Sequence, residues 1–291
     1  MAAQTRALVS AQWLADAIKS NRIGPHLRIL DSSWYLPKLK RDATSEFRQK
    51  HIPGTHFFDL DECSDKTSSL DHMLPTQNQF AEYVSGLGIG NDTHVVVYDA
   101  SDFGSYSAPR VWWMFQLFGH NCVSVLDGGM KNWLHEGRQV TSEYCSPERQ
   151  EFKASINQSW IKTYEDIVKN IETKRFQVID ARSAGRFRGT EPEPRDDTKP
   201  GHFPGAINMP FTSFMDASGR ELEAEQLTEL FREAGVDLER ALWASCGSGV
   251  TACHVVLAAY LLGSPRVAVY DGSWAEWDKR AAPEHIISEG K

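Results

Sequence analysis

A chain of 291 residues exceeds what one hydrophobic core usually needs and suits two domains of roughly 140 residues each. With 41% hydrophobic and 24% charged residues and no run of about 18 apolar positions, it reads as an ordinary globular chain without a membrane span. The net charge of −8 argues against nucleic acid or an anionic membrane surface as partner, so an anionic substrate would need a local basic pocket working against the overall field.

In chain order, Met1 to Ser10 carries a single arginine and no apolar core, which predicts neither a secretion signal nor a transit peptide. Leu30-Asp31 closes an apolar strand run, and His51-Ile52-Pro53-Gly54 follows. His94 to Tyr98 predicts a buried strand, then a six-residue loop and a helix. Pro109 sits near that helix's start, where its missing N–H costs nothing, and Gly119 closes it. Thr141 to Gln158 is polar, contains Pro147 and reads as a linker. Ile179-Asp180 ends another apolar run, and Asp180-Ala181-Arg182 predicts a structural ion pair. Thr190 to Gly201, with three prolines, is an irregular segment of the kind that lines active sites in α/β domains. Ala241 to Ser245 predicts a second buried strand, followed by a loop and a helix. On that helix Ala252, Val255, Val256, Ala259 and Leu262 share one face, and Gly263 stops it.

These landmarks repeat. At a constant offset of 144, Ala108 matches Ala252, Gly119 matches Gly263, Asp127-Gly128 matches Asp271-Gly272, and Trp133 matches Trp277. The two HxPG segments at His51 and His202 and the two strand ends at Asp31 and Asp180 match as well. Repeated landmarks in one order mean two copies of one domain. Alternating apolar runs and helical patterns predict an α/β fold, each copy a mainly parallel sheet flanked by helices. The expected boundaries are residues 1–142 for the first domain, 143–160 for the linker and 161–291 for the second. The matched tryptophans predict core packing.

Five cysteines, an odd number without a CxxC pair, suit free thiols in a reducing compartment, the cytoplasm and/or the mitochondrion, better than disulfides or a metal site. Cys246 stands apart. Ala244-Ser245-Cys246-Gly247-Ser248-Gly249-Val250-Thr251-Ala252 puts a thiol just after a strand and just before a helix, where open α/β sheets bind ligands. Gly247 and Gly249 let the backbone curl so that successive N–H groups through Val250 and Thr251 can point inward as an anion nest. The following helix adds its positive end, and both effects favour thiolate over thiol. Cysteine phosphatases need Cys-x5-Arg, but six positions after Cys246 stands Ala252. No Gly-Lys-Ser/Thr closes the loop as a P-loop requires. At the offset of 144 the first copy has Asp102 opposite Cys246, and a carboxylate cannot do a thiol's chemistry.

The loop CGSGVT, together with HIPG, DHMLP (71–75), RFRGTEPEPR (186–195) and the YDGSW/LDGG pair, resembles the rhodanese superfamily over essentially the whole chain. The likeness is to those tandem-domain members that take sulfur from 3-mercaptopyruvate. Thiosulfate-using members carry basic residues after the cysteine, as in CRKGVT. Here Gly247 and Ser248 are neutral, which suits a monoanionic donor better than a dianion. The resemblance implies two rhodanese-like domains, the second catalytic, with the active site at their interface. It implies a Cys246 persulfide formed with release of pyruvate, and acceptors such as reduced thioredoxin, small dithiols or cyanide, with hydrogen sulfide formed when a dithiol reduces the persulfide. It also implies no metal or organic cofactor, and a monomer or weak homodimer.

Arg186 and Arg195 are the implied substrate-binding pair, with Gly247, Gly249, Val250 and Thr251 forming the cradle; Arg188 reads as structural. Ser248 is suited to relay a proton to the pyruvate enolate. The resemblance pairs it with Asp61, and His72 of DHMLP is a further candidate. For both Asp61 and His72, ordinary structural hydrogen bonding remains the alternative. Cys253 reads as buried filler, and Cys63, Cys122 and Cys145 as thiols exposed enough for redox modification. Two rival readings stay open: a thiosulfate:cyanide sulfurtransferase, and a non-catalytic rhodanese-like regulatory module.

Overall fold

The computed structural model describes residues 6–264 and 266–290; the reading of Met1 to Thr5 lies outside them. No helix among the described residues is long and apolar enough to cross a membrane. The chain divides into two compact units. The first contains β1 (Leu8–Val9), α1 (Ala11–Lys19), β2 (Leu27–Asp31), α2 (Ala43–Gln49), β3 (Thr55–Phe57), α3 (Gln77–Gly86), β4 (His94–Tyr98), α4 (Ala108–Leu117), β5 (Val123–Leu126) and α5 (Gly129–His135). The second contains β6 (Ile161–Lys162), α6 (Tyr164–Thr173), β7 (Gln177–Asp180), α7 (Ala184–Arg188), β8 (Ala206–Asn208), α8 (Ala224–Glu233), β9 (Leu242–Ser245), α9 (Ala252–Leu261), β10 (Val267–Tyr270) and α10 (Ser273–Arg280).

Each unit is a five-stranded sheet, ordered β1-β5-β4-β2-β3 in the first and β6-β10-β9-β7-β8 in the second. Every named pairing is parallel. The same order in both is the structural counterpart of the sequence repeat. β-branched runs such as Val95-Val96-Val97 build the central strands, which are buried on both faces as parallel sheets require. Capping follows the local sequence: Ser10 accepts from the Trp13 N–H at 3.1 Å, and Thr163 forms a capping box with Asp166.

Trp133 and Trp277 pack in the cores of their respective units, and each indole N–H meets a backbone carbonyl, Gln139 at 2.9 Å and His285 at 3.0 Å. Burying an indole together with a satisfied N–H contributes without stranding a polar group. α4 is buried along its whole length and α9 from Ala252 to Ala259, so the one-sided face expected for α9 is in fact burial on every side over those residues, His254 included. Leu262, expected on that face, is the C-cap and only half-buried.

The linker is not slack chain. Thr141 pairs with His51, Phe152 is buried beside Phe80 and Phe115, and the N–H groups of Ser155 and Asn157 bond to Phe118 and Leu117, all within the first unit. Two short segments are exchanged: Ser68–Met73 belongs to the second unit, and Asp216–Glu221 to the first.

Candidate active site

The register that pairs Asp180 with Ser245 brings both residues to the C-terminal edge of the second sheet, and Cys246 follows immediately. Its six-residue loop, 246–251, leads into α9 with Thr251 at the N-cap. The Cys246 side chain is buried, and its Sγ accepts the Gly249 N–H at 3.1 Å. Gly249 adopts φ 82°, a left-handed conformation that disfavours any side chain and turns that N–H inward. The loop is braced from α10. The N–H groups of Trp274 and Ala275 donate to the carbonyls of Cys246 and Gly247 at 3.0 and 2.9 Å, and Ser273 Oγ accepts the Cys246 N–H at 3.1 Å. Val250 and Thr251 are buried, and their carbonyls accept the N–H groups of Cys253 and His254 at the start of α9.

Ser248 is buried, and its Oγ lies 2.9 Å from His72 Nε2. The histidine comes from 176 residues upstream, on the exchanged segment. It is buried with φ 42°, a conformation a non-glycine residue adopts at a cost of roughly 1 kcal/mol, so its placement is held by its surroundings. Part of that hold is Arg195, whose Nε and Nη2 both donate to Oδ2 of the neighbouring Asp71, at 2.9 and 2.5 Å.

Arg186 lies against the cysteine loop: a Cβ built on Gly247 would stand 2.8 Å from its Nη2. Its guanidinium bonds to Glu193 through two parallel contacts, Nε–Oε1 at 3.0 Å and Nη2–Oε2 at 2.6 Å. Glu193 also accepts from Arg182 at 2.8 Å. Arg182 in turn pairs with Asp180 at 2.6 Å and lies over the Trp274 ring, 4.6 Å from its centroid. The expected Asp180–Arg182 ion pair is therefore one end of a buried charge network that reaches the loop. The Arg188 side chain is exposed, and its carbonyl accepts the Glu289 N–H at 2.7 Å.

Asp61 belongs to the first unit, where it is exposed and its carboxylate accepts the Trp34 indole N–H at 3.0 Å. Cys253 is buried and donates to the Gly249 carbonyl at 3.2 Å. Cys145 is exposed and Cys122 half-buried, but Cys63 corrects the expectation for it: it is buried, and burial pushes its thiol well up, away from reactive thiolate. Among the described residues no group of three or more His, Cys, Asp and Glu is placed to hold a metal ion.

The first unit corrects the alignment of the loops. Its loop runs over nine residues, 99–107, rather than six, so the residue that follows the strand as Cys246 does is Asp99, not Asp102. Asp102 is exposed and pairs with Arg41. Asp99 is fully buried and fills an amide nest: Oδ1 accepts from Ser101 at 3.0 Å, and Oδ2 accepts from Tyr106, Ser107 and Ala108 at 2.8, 2.9 and 2.8 Å. The strand–loop–helix unit of this chain thus holds an anion on backbone donors, here its own carboxylate.

Glu193, Ser273 and Trp274 escaped the sequence reading. Glu193 had a signal in its flanking prolines. Ser273 had one in the departure of DGSW from DGG: it shares a left-handed φ with Gly129 (51° and 54°) but adds the hydroxyl that braces Cys246.

The repeated α/β unit, one copy presenting a buried cysteine whose Sγ accepts a backbone N–H and the other an aspartate that accepts four, defines a class of duplicated domains that place an acceptor side chain at the end of a central strand. The model of the rhodanese-like domain matches residues 10–136 and 163–280. A 3-mercaptopyruvate sulfurtransferase of Homo sapiens is 59% identical over 98% of this chain and 96% of its own length. A thiosulfate sulfurtransferase of Mus musculus is 55% identical over the same shares. Among solved structures, the Tum1 protein of Saccharomyces cerevisiae superposes with a TM-score of 0.85 at 32% identity, covering 97% of each chain. SseA from Escherichia coli, a 3-mercaptopyruvate sulfotransferase, superposes with 0.82 at 36% identity, covering 93% of this chain and 99% of its own. The chain belongs to the rhodanese family and is a sulfurtransferase enzyme.

Proposed function

We propose that the enzyme takes sulfur from 3-mercaptopyruvate onto Cys246 and passes it to thiol acceptors or cyanide. The Cys246 thiolate attacks the donor sulfur, the carbon–sulfur bond breaks, and its electron pair leaves on pyruvate as the enolate. Ser248, backed by His72, delivers the proton that converts the enolate carbon to a methyl group. The persulfide that remains is anionic at its outer sulfur and suits the donors of the loop. An acceptor thiol, of a small dithiol or of reduced thioredoxin, then attacks the outer sulfur and restores Cys246, which is ping-pong logic. A second thiol on the acceptor closes a disulfide and releases hydrogen sulfide.

The observation that carries this reading is the Ser248–His72 contact in a loop without cations. Overall identity to the two kinds of relative differs little, 59% against 55%, so the choice of donor rests on the loop. Carbon protonation needs a relay; a departing sulfite does not. Arg186 supplies a cation for the donor carboxylate. In the structure Arg195 is engaged by Asp71, and it meets the same carboxylate when that pair opens. A reducing compartment, the cytoplasm and/or the mitochondrion, suits the chemistry, and none of the five cysteines is in a disulfide.

Incubation with 3-mercaptopyruvate followed by intact-mass spectrometry should add one sulfur atom to the protein. Cys246→Ser should abolish the adduct, while serine at Cys63, Cys122, Cys145 or Cys253 should not. Turnover that survives in Cys246→Ser overturns the mechanism.

A further inference from the structure

We infer that Glu193 is the positioning residue for Arg186, fixing which edge of its guanidinium meets the donor. This rests on the reading above that Arg186 receives the donor's carboxylate. The Glu193 side chain is 2% exposed, against 22% for Arg186, so the carboxylate is the buried, immobile member of the pair. Its backbone is preset. Pro192 precedes it, and Pro194 confines it to extended conformations, so the side chain is delivered at low conformational cost. It is anchored from behind by Arg182, which is itself tied to Asp180 and to the Gly201 carbonyl.

A guanidinium has five N–H groups. Glu193 consumes the Nε–H and one N–H of Nη2, which leaves the Nη1/Nη2 edge. Nη2 is the atom that lies against Gly247, so the edge left open borders the cysteine loop. A carboxylate that approaches there can be held in fork geometry. Without Glu193 the long side chain would sample many rotamers, and the same edge would meet the donor only part of the time. Glu193 therefore acts through Arg186 and touches neither sulfur nor donor.

The test is a double-mutant cycle on donor kinetics. Glu193→Gln keeps the size but weakens the clamp. It should raise KM for 3-mercaptopyruvate about tenfold and leave kcat within about twofold, the pattern of lost uniform binding. At saturating donor the Cys246 sulfur adduct should still form. In an Arg186→Ala background the same change should add less than about twofold, because nothing remains to be positioned. Should Glu193→Gln fail to fold because it leaves Arg182 short of charge, Glu193→Asp keeps the charge on a shorter arm and should show the same KM rise and the same non-additivity. Losses that multiply in the double variant would assign Glu193 to the fold through Arg182 and overturn the inference, as would wild-type kinetics in Glu193→Gln. Wild-type kinetics in Arg186→Ala would instead overturn the reading of Arg186, a result separable from the other two.

Discussion

A hydroxyl 2.9 Å from an imidazole nitrogen matters to catalysis only if the reaction needs a proton where the hydroxyl sits. From mercaptopyruvate the leaving group is pyruvate as its enolate, a carbanion equivalent that needs one; from thiosulfate it is sulfite, which does not. Ser248→Ala should therefore lower mercaptopyruvate turnover by about 10²–10⁴-fold while sparing thiosulfate turnover, which steady-state kinetics with both donors would measure. Equal losses with the two donors would make the hydroxyl a structural group. At this scale the sequence announced Cys246 and Ser248, because strand end, glycines and helix start are local signals. It could not announce His72 as Ser248's neighbour, since no local rule links residues 176 positions apart. Glu193 was harder to assign for a related reason: its flanking prolines mark the backbone, but a carboxylate looks solvated until the arginines that need it are seen.

At the scale of elements, the strand–loop–helix unit occurs twice with different fillings. Six residues carry a thiol in the second unit, while nine carry a carboxylate in the first. Constant spacing after the loops concealed the three extra residues, so counting backwards from the helix landed on Asp102 instead of Asp99. Helix ends were legible because Gly119 and Gly263 both adopt a left-handed φ, of 85° and 80°. The faces of α9 were not, because a helix buried on every side has no polar stripe to orient it. The loop itself can be re-tuned. Gly247→Arg with Ser248→Lys adds two cations near the bound sulfur, and each close pair is worth up to about 4 kcal/mol before desolvation and screening reduce it. Arg186 Nη2 is the atom in the way of a side chain at 247, so the introduced arginine must displace it from its bond to Glu193. The double variant should gain thiosulfate turnover and lose mercaptopyruvate turnover. An unchanged donor preference in steady-state assays would move selectivity to Arg186 and its surroundings.

For the whole molecule, buried titratable groups set opposing pH dependences. Burial pushes Asp31 up to about 6, against the pull of its bonds to Ser33, and pushes Asp127 up to about 6 as well. A carboxyl raised in the folded state costs stability as it ionises, so its penalty grows as pH climbs from about 4 through about 6. His56 and His94 are lowered to about 4, chiefly by burial, and their penalty grows in the other direction, as pH falls from about 6.5 towards 4. Asp31→Asn removes one carboxyl and leaves the histidines. Its stability relative to the parent should therefore improve between pH 4.5 and 7.5, by on the order of 2 kcal/mol in denaturant melts at both pH values. A flat difference would mean that Asp31 does not titrate in that window. Duplication and the α/β class were legible at this scale. The exchange of Ser68–Met73 and Asp216–Glu221 was not, because neither segment differs in composition from the chain around it.

That exchange bears on how such a gene can evolve. A copy whose loop carries no thiol would ordinarily be free to decay or to be discarded. Here the half whose loop carries Asp99 encodes His72, so on the proposed relay the thiol-bearing half takes part of its chemistry from the other. A breakpoint at the linker would part His72 from Cys246, and the two halves of the gene are therefore expected to be transmitted as one indivisible unit.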